Sequence, residues 1–101
     1  MNPDNSMTRV IGGLRYSVGN SRCIADDLYW DGSNWERSGR NTFLYKTKGG
    51  RYFMVNLTCW QDERDTLEPV SLEEAISMYE SLPEQNVSFE KAFPEVLVEE
   101  A

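Results

Sequence analysis

Apolar and polar residues alternate along residues 51–60. Phe53, Val55, Leu57 and Cys59 fall on one side, and Tyr52, Met54, Asn56, Thr58 and Trp60 on the other. A period of two marks a strand with one buried face. The first set is expected in the core, and the second, half-polar with aromatic ends, is expected to stay partly open. Residues 42–47 form another strand-like run, and Lys48-Gly49-Gly50 between the two supplies the positive φ that a tight hairpin needs. Further upstream, residues 9–18 read as a strand weakened or bulged at Gly12-Gly13, followed by a Gly19-Asn20 turn. Residues 22–30 read as the next strand. Asp31-Gly32-Ser33-Asn34 then closes a hairpin with Trp30 and Trp35 in cross-strand contact.

After Trp60 the pattern changes. Residues 61–69 are acidic and are expected to be irregular. Ser71 followed by Glu74 is a capping box, with Val70 and Ala75 placed as its hydrophobic staple. Leu72, Ala75, Ile76, Tyr79 and Leu82 then recur at helical spacing until Pro83. Residues 88–93 form a Ser-capped turn too short to stand alone, whose Phe89 and Phe93 are expected to pin the tail to the domain. Residues 96–98 are either an edge strand or a trailing segment. The expected fold is α+β: an antiparallel meander of four to five strands, one C-terminal helix packed on one face, and a short second helical turn. The expected organisation is a flexible N-terminus (1–8), a single domain (9–98) and an acidic tail (99–101).

Composition agrees with one core in 101 residues, since 40% hydrophobic and 12% aromatic content exceeds what a disordered chain carries. No apolar run reaches the ~18 residues of a membrane span, and no leader pattern opens the chain, so a soluble, cytoplasmic protein is expected, without membrane contact. Cys23 and Cys59 are expected to be reduced there.

Charge adds a second layer. Residues 1–60 hold eight Lys/Arg and five Asp/Glu, whereas residues 61–101 hold two and twelve, for a net charge of −7. Chemistry is poorly provided for. Histidine is absent, which removes the commonest general base and metal ligand, and two cysteines alone cannot complete a zinc site. No phosphate loop, dinucleotide fingerprint or nucleophile elbow is present. Asp26 and Asp27 are strand neighbours that point to opposite faces, Glu73 and Glu74 suit a helix N-terminus, and Asp62, Glu63 and Asp65 lack the spacing of a calcium loop. The reading is therefore no enzyme, no cofactor and no metal.

Two binding surfaces remain. Glu73, Glu80, Glu84 and Glu95 on the acidic helix and tail would engage a partner protein with a basic surface. On that reading the chain is a small regulatory protein of bacterial or phage type, an inhibitor that imitates nucleic-acid phosphates before a nucleic-acid-handling enzyme. The alternative is a sheet surface of rings interleaved with cations. There Trp30, Trp35, Arg37, Arg40 and Lys48 would hold single-stranded nucleic acid or a nucleotide. An exposed edge strand also allows a homodimer.

Overall fold

The computed structural model describes residues 2–28 and 39–101. Among these residues, seven strands and two α-helices follow in chain order: β1 (Thr8–Ile11), β2 (Leu14–Ser17), β3 (Ser21–Asp26), β4 (Arg40–Thr47), β5 (Tyr52–Thr58), β6 (Thr66–Val70), α1 (Leu72–Ser81), β7 (Glu84–Gln85) and α2 (Phe89–Ala92), with a 3-10 turn at Val18–Asn20 joining β2 to β3. Strands β6-β5-β4-β3-β7 form a five-stranded antiparallel sheet, and β1-β2 form a separate two-stranded ribbon. This is the α+β architecture expected. The proposed Trp30/Trp35 hairpin lies outside the described residues.

The sheet is a meander from β3 to β6. Helix α1 then crosses it and delivers β7 to the opposite edge, beside β3. The β4–β5 hairpin closes through residues 48–51, with the Thr47 N–H donating to the Arg51 carbonyl at 2.8 Å and Gly50 at φ of 85°, a conformation that glycine adopts without steric cost.

Two sequence expectations are corrected in detail, and a third, which left two alternatives, is decided for the trailing segment. Residues 9–18 are not one weakened strand but a hairpin, because Gly12 and Gly13 both take positive φ (59° and 80°) and turn the chain back on itself. The acidic linker is only partly irregular: Thr66–Val70 joins the sheet as an edge strand, where Pro69 sits at the margin. Residues 96–98 form no strand, and Leu97 and Val98 are exposed.

Both faces of the sheet are covered. The β1–β2 ribbon lays Tyr16 and the following Val18 over Phe43, Tyr45, Phe53, Val55, Leu57 and Leu67, with Arg9 tied to the Leu67 carbonyl at 3.0 Å and to Glu68 at 2.7 Å. On the other face Ala75 and Tyr79 of α1, with Ala92 and Phe93, cover Ile24, Leu44 and Tyr52. Phe93 is fully buried and its ring lies 5.2 Å from Tyr52 and 5.5 Å from Tyr79. The two phenylalanines therefore pin the tail as the sequence implied. Double coverage explains why Phe43, Leu44 and Tyr45 are buried in succession. The Ser71–Glu74 capping box forms with both bonds at 3.1 Å.

Cys59 departs from the alternation that placed it in the core. Strand β5 ends at Thr58, whose N–H donates to Asp65, and the chain turns outward, leaving Cys59 exposed. Cys23 is the more sheltered thiol. Burial, and next the charge of Asp26, push its pKa up to about 12. Alkylation of the folded protein near pH 8 is expected to modify Cys59 alone, with Cys23 reacting only after denaturation; mass spectrometry of the labelled protein reads both. The raised value also has a stability consequence. The contribution linked to Cys23 is complete below its ordinary value of 9.0 and is lost as pH climbs toward 12.

Candidate functional site

The four glutamates of the acidic surface are exposed but belong to three parts of the fold. Glu73 and Glu80 lie two turns apart on α1, Glu84 is in β7 opposite Asp26, and Glu95 follows α2 beside a hollow lined by Tyr52, Arg51 and Leu72. Glu84 falls off the helix because α1 stops at Ser81.

The aromatic-basic set is also redistributed. Trp30, Trp35 and Arg37 lie outside the described residues. Arg40 is spent on Glu63, which it grips through Nε at 3.0 Å and through a second bond from Nη2, and its guanidinium sits 5.9 Å from the Trp60 ring centroid. Bonds from Arg40 and Thr58 hold the Glu63 carboxyl below its ordinary range. Lys48 is at the far end of β4 from Arg40, roughly 25 Å away along an eight-residue strand and its turn. The nearby rings serve the core: Tyr45 stacks on Phe53 at 5.1 Å, and the Tyr52 hydroxyl donates to the Ala92 carbonyl at 2.8 Å. Tyr45 and Tyr52 are therefore core rings, and the Lys46 ammonium over Tyr52 is the contact between a ring and an unpaired cation among the described residues.

Carboxylate pairs have structural partners. Asp26 accepts from the Leu28 N–H and from Asn86, both at 2.9 Å, while Asp27 accepts from the Thr42 N–H at 2.9 Å and from the buried Asn41 at 3.2 Å. Among the described residues no three His, Cys, Asp or Glu side chains converge to hold a metal ion.

What the fold does assemble is a cationic groove of about 400 Å³ on the helix side of the sheet, where β3 and β4 end. Arg22, Lys46, Lys48 and Lys91 line it, so all three lysines of the chain meet at one place. Ser21, Thr47 and Asn20 add polar atoms, and Ile24 and Val87 form an apolar floor. No carboxylate is among its described lining residues, and none of the four cations forms an ion pair among the described residues.

Two placements make this arrangement costly without a ligand. Arg22 and Lys46 are direct cross-strand partners, and like charges so placed destabilise a sheet. Lys91 arrives from α2, which Phe93 anchors and whose Ser88 cap accepts from the Lys91 N–H at 3.4 Å. Lys46 gains partial compensation from the Tyr52 ring, 5.8 Å from its Nζ. With only that partial remedy, the like-charge pair favours an anionic occupant.

Arg22 and Lys91 were not singled out from sequence. Their convergence depends on the β3–β4 register and on the return of α2, neither of which local patterns encode. Lys48 alone of the four was singled out from sequence, beside the hairpin glycines. The fold and the groove together define an α+β protein with a five-stranded antiparallel sheet and one concentrated cationic end. No protein-family model, no curated protein and no solved structure matches the chain.

Proposed function

We propose that this protein is a non-enzymatic binding protein for a phosphate-bearing ligand, held in the groove of Arg22, Lys46, Lys48 and Lys91. The observation that carries the reading is the Arg22–Lys46 cross-strand pair, sharing one groove with Lys48 and Lys91 and with no carboxylate among the described lining residues. Phosphate oxygens are the natural complement. Each takes charge-assisted hydrogen bonds from arginine or lysine, and the Ser21 and Thr47 hydroxyls can donate as well. The groove's volume lies in the range of ligand sites, roughly 300–1,000 Å³. A reading through the acidic helix has exposure in its favour, but only Glu73 and Glu80 share an element, while Glu84 lies in β7 and Glu95 follows α2.

The densest acidic run of the linker stands away from the groove. The Asp62, Glu63 and Asp65 cluster follows β5, at the opposite end of the sheet from the groove. Fields from charges more than a Debye length away, about 10 Å at 0.1 M salt, are largely screened. The test is isothermal titration of the protein with inorganic tripolyphosphate at low and moderate salt, with amide chemical-shift mapping. Saturable binding that weakens with salt and perturbs residues 20–24, 46–48 and 91 is expected. Absence of binding at low salt, or shifts confined to the Arg40 end, would overturn the assignment.

A further inference from the structure

We infer that the ligand is a single-stranded nucleic acid whose phosphate backbone passes over the end of the sheet, from the groove on the helix side to a second cationic hollow on the ribbon side. This inference rests on the phosphate-binding reading above and extends it.

The second hollow, about 270 Å³, is lined by Arg15 and Arg51 together with Asn20, Ser21, Thr47 and Lys48, which it shares with the groove. The shared residues sit at the ends of β3 and β4, where Ser21 and Thr47 form the last pair of the ladder. The groove is on the helix side, floored by Ile24 and Val87, whereas the hollow contains Leu14 and Tyr16 of the ribbon. The two are therefore one track turning around the end of the sheet. Seven described cations form no ion pair among the described residues, and six of them line this track. The seventh, Arg64, is beside Arg40 at the opposite end.

The bend selects the ligand. A mononucleotide fills one hollow and leaves Arg15 and Arg51 uncompensated. A duplex, with a persistence length of about 50 nm, cannot fold around a sheet roughly 10 Å thick. A single strand is flexible enough to do so, and its charges repeat along its length as the cations do along the track. The ring in the hollow's lining, Tyr16, is buried. With no exposed aromatic side chain among the described lining residues, bases find no stacking platform there. Recognition is through phosphates and is indifferent to base identity.

The experiment is fluorescence anisotropy with labelled oligothymidylate and oligoadenylate of about 15 nucleotides, a length within the site sizes of single-strand binders. Tripolyphosphate and a duplex of equal length are titrated alongside. Both single strands should bind within about threefold of each other. With four to six phosphates neutralised, the slope of log affinity against log salt should be about −3 to −4. The duplex should bind at least tenfold more weakly. Arg15→Glu with Arg51→Glu, both at exposed positions, should weaken the single strands at least tenfold and tripolyphosphate less than threefold. Arg15→Gln with Arg51→Gln should give a smaller loss in the same direction, with an unchanged urea midpoint for both variants.

If these substitutions leave single-strand affinity within twofold, the ligand is confined to the first groove; the inference falls and the phosphate-binding reading stands. A duplex that binds as tightly as the single strand likewise overturns the inference alone. If neither tripolyphosphate nor any oligonucleotide binds at low salt, both fall.

Discussion

Phe93→Ala is expected to lower the unfolding free energy by about 3–5 kcal/mol, the range for removing a buried phenylalanine ring. Phe93 has no exposed surface and packs against Tyr52, Tyr79 and Phe89, the last at 5.0 Å. Few neighbours can collapse into the space, since Tyr52 and Tyr79 are fixed through hydroxyl bonds to the Ala92 and Val87 carbonyls. Against a typical total stability of about 5–15 kcal/mol, such a loss removes a large fraction of the folding free energy. Urea denaturation followed by circular dichroism measures it. Leu97→Ala, at a side chain 91% exposed, is the control and should shift stability by no more than about 0.5 kcal/mol. Equal effects from the two would mean that α2 does not dock on the sheet. Because α2 carries Lys91, a folded fraction of Phe93→Ala should also bind tripolyphosphate more weakly than the wild type.

Lys46→Glu is expected to move stability and binding in opposite directions. In the wild type Lys46 faces Arg22 across the β3–β4 ladder. The substitution turns a repulsive cross-strand pair into an attractive one, worth roughly 0.2–1 kcal/mol, less what is lost with the Tyr52 ring contact. The ligand-free protein should therefore be as stable as the wild type or slightly more so. Binding should suffer strongly. A charged hydrogen-bonding partner contributes about 1.5–3 kcal/mol, and the introduced carboxylate repels phosphate as well. A loss on the order of a hundredfold or more in tripolyphosphate affinity follows. Calorimetry and urea midpoints on the same preparation test both halves. A variant that loses stability and keeps affinity would mark Lys46 as an ordinary solvated strand residue. The opposed signs are what a site optimised for a ligand, rather than for the empty fold, should give.

Several elements were legible because their determinants are local. The capping box at Ser71 and Glu74 needs only three-residue spacing, and Pro83 bounds α1 just beyond Ser81. The β4–β5 hairpin needs only two alternating runs and a glycine loop. Gly12-Gly13 was legible as a disturbance but not as a turn, since a pair of glycines permits a bulge or a reversal and only the ribbon packing on Phe43 and Phe53 selects one. Strand β6 was illegible for a related reason. Its acidic, Pro-containing sequence has poor strand propensity, and pairing with β5 overrides that preference.

The candidate site was legible only in fragments. The sequence by itself determined the inventory: ten cations against seventeen acids, no histidine, three lysines, and a basic front before an acidic back. That inventory favours binding over the common catalytic chemistries. Which cations are available was decided by tertiary structure alone. Folding spends Arg9 on Glu68 and Arg40 on Glu63, commits Tyr45 and Tyr52 to the core, and turns Arg22, Lys46, Lys48 and Lys91 toward one groove. The reason is physical. Elements form from preferences spread over a few neighbouring residues, whereas a site forms from side chains far apart in sequence, here Arg22 and Lys91, whose proximity is set by strand register and by what the core must bury.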